Sequence, residues 1–343
     1  MEAIAALAAR ELSVPRSNLE VVLRVPVDHQ TNRLWDVWCA ETHFIAKEFI
    51  DRDPDEGAER EFQSLQLLLP LGLAPRPISR VSAAAEHGPV VLYEFLEGLR
   101  WPRRPPSPEQ LRQLAEAYIQ INSLPTDGGW LAANMDIPLS YREAAFRRTF
   151  EDYALWAKSA YPPARLAAEL CIKAIDRLRP NVAALAAATP ALLFCQTDAR
   201  FANFIERPDG GVAFVDWEDA GLRDPARQIA DLLMHANQED LLSLEEWRPF
   251  TDRYYGALKG TDPDLEQRVH TCLPLFCIFW LSVIIQRNVQ GLRHSGTADE
   301  PVNELPVNAR LRRYLARAFA WPDPDFSKRL EQLSELEFFP SGA

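Results

Sequence analysis

Several things are scarce in this 343-residue chain, and each scarcity closes off a class of protein. There is no basic excess: 37 Lys and Arg stand against 49 Asp and Glu, a formal net charge of −12. A nucleic-acid-binding surface is built from a basic patch, so no nucleic-acid partner is expected. Cysteines number five, at positions 39, 171, 195, 272 and 277, with no C-x-x-C spacing. That set argues against a disulfide framework or a zinc site and fits a reducing compartment. The six histidines show no metal-ligand spacing, and no Gly-x-Ser-x-Gly elbow, P-loop or dinucleotide fingerprint occurs. The longest apolar run, Leu275 to Ile285, is 11 residues broken by Ser282. That is too short to span a bilayer, and no membrane partner is expected. Met1-Glu2-Ala3 opens a helix-like segment with an acid at position 2, so no secretion signal is read and the expected location is cytoplasmic.

What is present is ordinary for a globular chain: 47% apolar and 25% charged residues, enough for two lobes and a substantial core. The acidic balance mildly favours cationic small molecules through long-range steering. Three β-rich stretches, 19–25, 33–38 and 43–49, are separated by polar turns and read as an antiparallel meander. Residues 51–57 read as a charged loop, 58–69 as a helix through Phe62, Leu65 and Leu69, and 90–96 as a further strand. Four prolines between Leu99 and Pro108 mark an extended connector. Ser107-Pro108-Glu109-Gln110 then starts a helix, with Ser as N-cap and Gln three residues on. Helical patterns follow to the C-terminus, interrupted by strands between Leu192 and Asp216. The expected fold class is α+β: a small antiparallel β-rich lobe, residues 1–97, and a larger mostly helical lobe, residues 98–343, with a hinge near 94–98.

The chemistry is concentrated in Asp198, Asn203 and Asp216. An acid, an amide five residues on and a second acid thirteen beyond form the layout of a phosphoryl-transfer site. Asp198 is expected to orient an acceptor hydroxyl and take its proton. Asn203 and Asp216 offer the hard oxygens that magnesium accepts. Asp-x-x-x-x-Asn alone arises by chance about once in a chain of this length. Here it follows the apolar run Ala191–Phe194, read as a strand, and precedes a Gly210-Gly211 hairpin that returns Asp216 beside Asn203. Upstream, Lys47 lies mid-strand between residues that bury, where a lysine needs an anion such as a nucleotide phosphate. Glu61 on the following helix shares a face with Leu65 and Leu68 and is the favoured partner for Lys47. Glu59 lies nearby, and periodicity alone does not choose between them.

Together these residues resemble the aminoglycoside phosphotransferase and choline kinase-like family, small-molecule kinases with the bilobal protein-kinase-like fold. The resemblance runs from Asp28–Trp35 through Phe44-Ile45-Ala46-Lys47, Arg60-Glu61 and Val91–Gly98 to the Asp198/Asn203 loop. Its most specific pieces are Asp216-Trp217-Glu218 and Asp224-Pro225-Ala226. It implies ATP, with GTP open, read at its adenine edge by backbone groups around Glu94, Phe95 and Leu96. It implies Lys47 on the α/β-phosphates and held by Glu61, Asn203 and Asp216 on Mg²⁺, Asp198 as acid-base residue, and transfer to a hydroxyl of a small molecule.

Three positions depart from the family pattern. The histidine two before the catalytic Asp is Gln196, the acid expected after Asp224-Pro225-Ala226 is Gln228, and the phosphate-covering turn Asp28–Asn32 has no glycine. Gln can still donate and accept, and the Thr31 and Asn32 side chains are candidates to replace backbone amides at the phosphates. The expectation is an active kinase; the alternative is a nucleotide-binding pseudokinase with a regulatory role. Glu218, Asp219, Glu239 and Asp240 are candidate carboxylates for a cationic acceptor such as an aminoglycoside or amino alcohol, and a sugar-like acceptor stays open. Trp217 reads as a core residue or a cation-stacking wall.

Overall fold

The computed structural model describes residues 1–24, 32–50, 53–101, 104–126, 131, 139–295, 306–320 and 326–340. Thr31 lies outside the described residues. By backbone contact the chain divides into two compact units. The first comprises Met1–Asn134, Leu193–Leu222 and Arg248–Tyr254; the second comprises Met135–Leu192, Arg223–Trp247 and Tyr255–Ala343. The hinge expected near 94–98 falls inside the first unit.

In the first unit, helix α1 (Glu2–Glu11) precedes strands β1 (Leu19–Leu23), β2 (Arg33–Cys39) and β3 (Thr42–Glu48), which form the expected meander. Helix α2 (Pro54–Leu68) and strands β4 (Pro77–Val81) and β5 (Val90–Glu94) complete an antiparallel sheet in the order β1-β2-β3-β5-β4. Alternation sorts the side chains. Trp35, Val37, Phe44, Ala46, Val90 and Leu92 pack with Ile4 and Leu7 of α1, while Lys47 occupies the opposite parity on β3. Two boundaries differ from the sequence expectation. Asp51–Gly57 is not all loop: α2 begins at Pro54, with Asp55 and Glu56 in its first turn, where a fixed proline φ and acids at a helix N-terminus both favour initiation. The strand at 90–96 ends at Glu94.

Strand β6 (Leu99–Arg100) pairs with β8 (Phe204–Glu206), which pairs with β9 (Val212–Phe214). The proline-rich connector therefore starts as strand rather than free extended chain. Trp101 follows directly, its ring edge-on to Phe201 and Phe204. Helix α3 (Pro108–Asn122) carries the expected capping box: Ser107 Oγ accepts from the Gln110 amide and Gln110 Oε1 from the Ser107 amide. Its Tyr118 and Asn122 are buried; Tyr118 meets Phe204 and Phe214, and Asn122 donates to the Phe194 carbonyl at 2.8 Å. That carbonyl lies on β7 (Leu193–Cys195), the strand that leads into the Asp198 turn.

The second unit is helical among its described residues. It includes α4 (Leu139–Ser159), α5 (Arg165–Ala187), α6 (Pro225–Met234), α7 (Leu265–Ser295) and α8 (Val307–Ala320). By length and composition α7 could cross a membrane, over Leu265–Gly291 at mean hydropathy 1.8. Two-thirds of that apolar window is buried inside the fold, packed by α4, α5, α6 and α8, as in a core helix. Ser282, which breaks the apolar run in the sequence, returns its hydroxyl to the Phe279 carbonyl at 2.7 Å and so sits inside the helix without an unpaired polar group. Asp224 caps α6 through the Ala226 amide and receives both Nε and Nη2 of Arg268 at 3.1 Å.

Candidate functional site

The first half of the site is an ion cluster around Lys47. Lys47 is 5% exposed, and its ammonium lies 2.9 Å from Glu61 Oε2, 2.7 Å from Asp216 Oδ1 and 3.0 Å from Glu218 Oε2. Strand, helix and post-strand turn thus deliver one cation and three carboxylates to one place. Burial alone would lower the Lys47 pKa; the three acids instead hold it well above the usual lysine value. The same burial raises Glu61, with Lys47 opposing and Asp216 adding to the rise. Glu218 is pushed up to about 7 by burial, partly offset by Lys47 and reinforced by Asp216 and Glu61. A buried cluster with more negative than positive charge stores repulsion that an incoming cation relieves.

Glu61, not Glu59, reaches Lys47. Glu59 pairs with Arg80 at 3.0 Å. Glu61 also accepts the Trp217 amide at 3.1 Å, which ties α2 to the Asp216-Trp217-Glu218 segment. Trp217 is fully buried, stacked on Phe194 with its Nε1 donating to the Phe214 carbonyl. It is a core residue and not a cation-stacking wall. Asn32 Nδ2 donates to Glu218 Oε2 at 2.5 Å, and Asn32 Oδ1 accepts the Ile50 amide.

The second half is the turn after β7. Asp198 has φ +60° and Asp216 φ +69°, a left-handed backbone that is uncommon away from glycine and costs on the order of 1–3 kcal/mol where structure enforces it. The turn is closed by the Arg200 amide on the Asp198 carbonyl (2.8 Å) and the Asn203 amide on the Arg200 carbonyl (2.9 Å). Asn203 Nδ2 donates to the Asp198 carbonyl at 3.0 Å and to Asp198 Oδ2 at 3.2 Å. The Asn203 carbonyl accepts the Val215 amide at 3.0 Å, which sets Asp216 next to it as the hairpin expectation required. Gln196 is fully buried and donates to the Val215 carbonyl at 2.9 Å.

Metal-ligand chemistry fits Asn203 and Asp216. Arg200 contacts Asn203 Oδ1 at 3.2 Å and Asp216 Oδ2 at 3.7 Å, so one cationic group already lies against both oxygens, and both are hard donors suited to magnesium. Glu61, Asp216 and Glu218 also bring ligand atoms within 4.8 Å of one another, but the Lys47 ammonium sits among them.

At the expected adenine edge, the Glu94 amide donates to the Arg76 carbonyl and the Phe95 amide to the His43 carbonyl, both at 2.9 Å. The Glu94 carboxylate pairs with Arg76, and the Phe95 ring stacks on His43, itself stacked on Trp38. Leu96 is half-buried. Three of the four carboxylates considered for a cationic acceptor carry cations of their own. Glu218 lies on Lys47, Asp219 is 3.6 Å from Arg60, and Glu239 is buried on Arg317 at 2.6 Å. The second unit holds an apolar cleft whose lining includes Phe146, Ile175, Leu178, Phe276 and Phe279; no site residue read from the sequence lines it.

Two residues escaped sequence reasoning. Glu218, one of the four carboxylates the sequence offers for a cationic acceptor, instead lies 3.0 Å from Lys47. Arg200 was not singled out, although its place between Asp198 and Asn203 was a signal.

The model of the phosphotransferase enzyme family matches residues 23–267. Solved structures share the fold at low identity. The ethanolamine kinase of Plasmodium vivax is 14% identical, with a TM-score of 0.60 over 92% of this chain and 85% of that one. The choline kinase of Streptococcus pneumoniae is 17% identical, TM-score 0.57, over 96% of this chain and 98% of that one. A spectinomycin phosphotransferase in complex with ADP and its antibiotic is 12% identical, TM-score 0.59, over 92% and 93%. No curated protein sequence matches the chain. The α+β, protein-kinase-like fold expected from the sequence is thus the observed one, and the family match runs from Leu23 through the Asp198–Asn203 turn into α7: this chain belongs to the phosphotransferase enzyme family.

Proposed function

We propose that this protein is an ATP-dependent kinase that moves the γ-phosphoryl group to a hydroxyl of a small molecule. The observation that carries the reading is the convergence of Lys47, Glu61 and Asp216 within ion-pair distance, beside an Asp198–Asn203 turn held in left-handed backbone. In this reading Lys47 meets the α/β-phosphates and Glu61 positions it. Asn203 and Asp216 hold Mg²⁺, which neutralises phosphate charge. Asp198 orients the acceptor hydroxyl and takes its proton as the new O–P bond forms. Asn32 lies close enough to Glu218 to border the phosphates, and Thr31 is proposed beside it. Adenine would be read at Glu94–Leu96 by carbonyl oxygens and the Leu96 amide, since the Glu94 and Phe95 amides are engaged. The lobe boundary is proposed at that hinge, 94–98, and the cytoplasm as the compartment.

A small hydroxyl-bearing acceptor is supported by the relatives, named as ethanolamine kinase, choline kinase and spectinomycin phosphotransferase. ADP and GDP appear in the complexes of related structures, so both ATP and GTP belong in the test. The persistence of Lys47, Asp198, Asn203 and Asp216 favours an active enzyme over a pseudokinase, and Gln196 keeps a hydrogen bond to the Asp216 strand.

The test is ADP release over a panel of amino alcohols, aminoglycosides and sugars, with Asp198→Asn as control. Asparagine tolerates left-handed backbone, so this variant keeps the turn and loses the charge. Expected are retained Mg·ATP stabilisation and a rate reduced by about 100-fold or more. Stabilisation without turnover on any acceptor would favour the pseudokinase. No nucleotide-dependent stabilisation would sink both readings.

A further inference from the structure

We propose that Arg200 is a catalytic residue of this site, a guanidinium that binds the phosphoryl group during its transfer. The proposal rests on the kinase reading above and adds a residue to it.

Arg200 is held by the turn it serves. Its amide donates to the Asp198 carbonyl and its carbonyl accepts from Asn203, so its side chain starts between the two. From there Nε lies 3.1 Å from Asp198 Oδ2 and 3.2 Å from Asn203 Oδ1, and Nη2 lies 3.7 Å from Asp216 Oδ2. The group assigned to the acceptor and both groups assigned to the metal therefore share one guanidinium. A merely structural arginine has no reason to contact all three. Its side chain is about one-quarter exposed, so it keeps access to a ligand.

Asn203 Oδ1, which Arg200 now contacts, is also the oxygen offered to the metal. Were that oxygen and Asp216 to hold a divalent cation, Arg200 would lose two of its three contacts and be repelled by like charge. Asp198 remains within reach, and so does the anion being delivered to the hydroxyl that Asp198 orients. In the transfer the bond from γ-phosphorus to the bridging oxygen breaks, and its electron pair stays with ADP. The acceptor oxygen bonds to phosphorus, and its proton passes to Asp198. Charge accumulates on the non-bridging oxygens, where a planar fork of N–H donors is complementary.

A positioning role, in which Arg200 only steers Asp198, would slow turnover without changing affinity for a phosphoryl mimic. The experiment therefore measures melting temperature with Mg²⁺·ADP, with and without aluminium fluoride, for the wild type, Arg200→Gln and Arg200→Lys. Expected is an ADP-dependent shift in all three. The additional fluoride-dependent shift should be lost in Arg200→Gln and reduced in Arg200→Lys, and ADP release on an active acceptor should fall about 1,000-fold in Arg200→Gln. A full fluoride-dependent shift in Arg200→Gln, or its absence from a wild type that does bind Mg²⁺·ADP, overturns the proposal. Should Arg200→Gln not fold, an undiminished shift in Arg200→Lys overturns it as well. A wild type that Mg²⁺·ADP does not stabilise fails the kinase reading itself, which separates the two failures.

Discussion

Gln196 shows at the residue scale what a single altered side chain does to the Asp198–Asn203 turn. Its Nε2 bridges to the Val215 carbonyl at 2.9 Å, with the Asp216 carbonyl at 3.4 Å, while its Oε1 is buried without a hydrogen-bond partner. The amide thus does half of its work: it ties the Asp198 turn to the strand that delivers Asp216 and leaves one acceptor unsatisfied. Gln196→Ala should cost about 1–3 kcal/mol, because the Val215 carbonyl loses its donor inside the core. Gln196→His keeps a ring N–H for that carbonyl and removes the stranded oxygen, so it should match or exceed the wild type. Urea denaturation of both variants checks this, and an Ala variant as stable as the wild type would refute the buttress role. The substitution itself was legible in the sequence; which of its atoms is satisfied was not, because that depends on a carbonyl nineteen residues away.

Pairing carries the argument at the scale of elements. Gly98 sits at φ +146°, and a Cβ there would lie 2.4 Å from the Glu206 carbonyl oxygen and 2.6 Å from Ile205 Cγ2. Close approach of this backbone to β8 permits the Leu99–Glu206 and Arg100–Ile205 register, and with it the packing of Trp101 against Phe201 and Phe204. Gly98→Ala should therefore destabilise by about 2 kcal/mol or more. Gly210 also has positive φ, +82°, but open space where its Cβ would go, so Gly210→Ala should cost only about 1 kcal/mol for its backbone. Equal losses in denaturation curves would show that backbone conformation, and not strand approach, sets the cost at Gly98. The strands β1, β2, β3 and β5 were legible because each alternates or is continuously apolar over five or more residues. Strand β4 was not. It opens on Pro77 and lies at the sheet edge, where a strand needs fewer donors and shows less pattern. The Lys47–Glu61 pair was favoured by the face that Glu61 shares with Leu65 and Leu68, but only the geometry separates it from Glu59. The turn of Glu218 back onto Lys47 and the reach of Arg200 were not legible, since neither follows from a period.

For the molecule as a whole, the surplus of acid in one buried cluster sets how stability responds to pH. Burial lifts Glu218 to about 7 and raises Glu61, against the pull of Lys47. The folded protein therefore keeps carboxyl protons to higher pH than the unfolded chain does. The stability this provides is fully present below the ordinary glutamate range, near pH 4.5, and is lost as pH rises through about 7. Asp36 acts in the opposite sense. Burial pushes it up, but Arg24 and His43 outweigh burial and hold it below the usual aspartate value, so its contribution is lost as pH falls below about 4. The metal- and nucleotide-free protein should accordingly be most stable near about pH 5 and melt a few degrees lower at about pH 8. The net charge of −12 pushes the same way through general repulsion, so the slope alone does not identify the cluster. Glu218→Gln does. Glutamine stays neutral at every pH and still offers an oxygen to the Asn32 amide, so the variant should resemble the wild type at about pH 5 and melt above it at about pH 8. Melting curves across that range decide the matter: a wild type whose stability rises with pH, or a Glu218→Gln slope equal to its own, would remove the cluster as the cause.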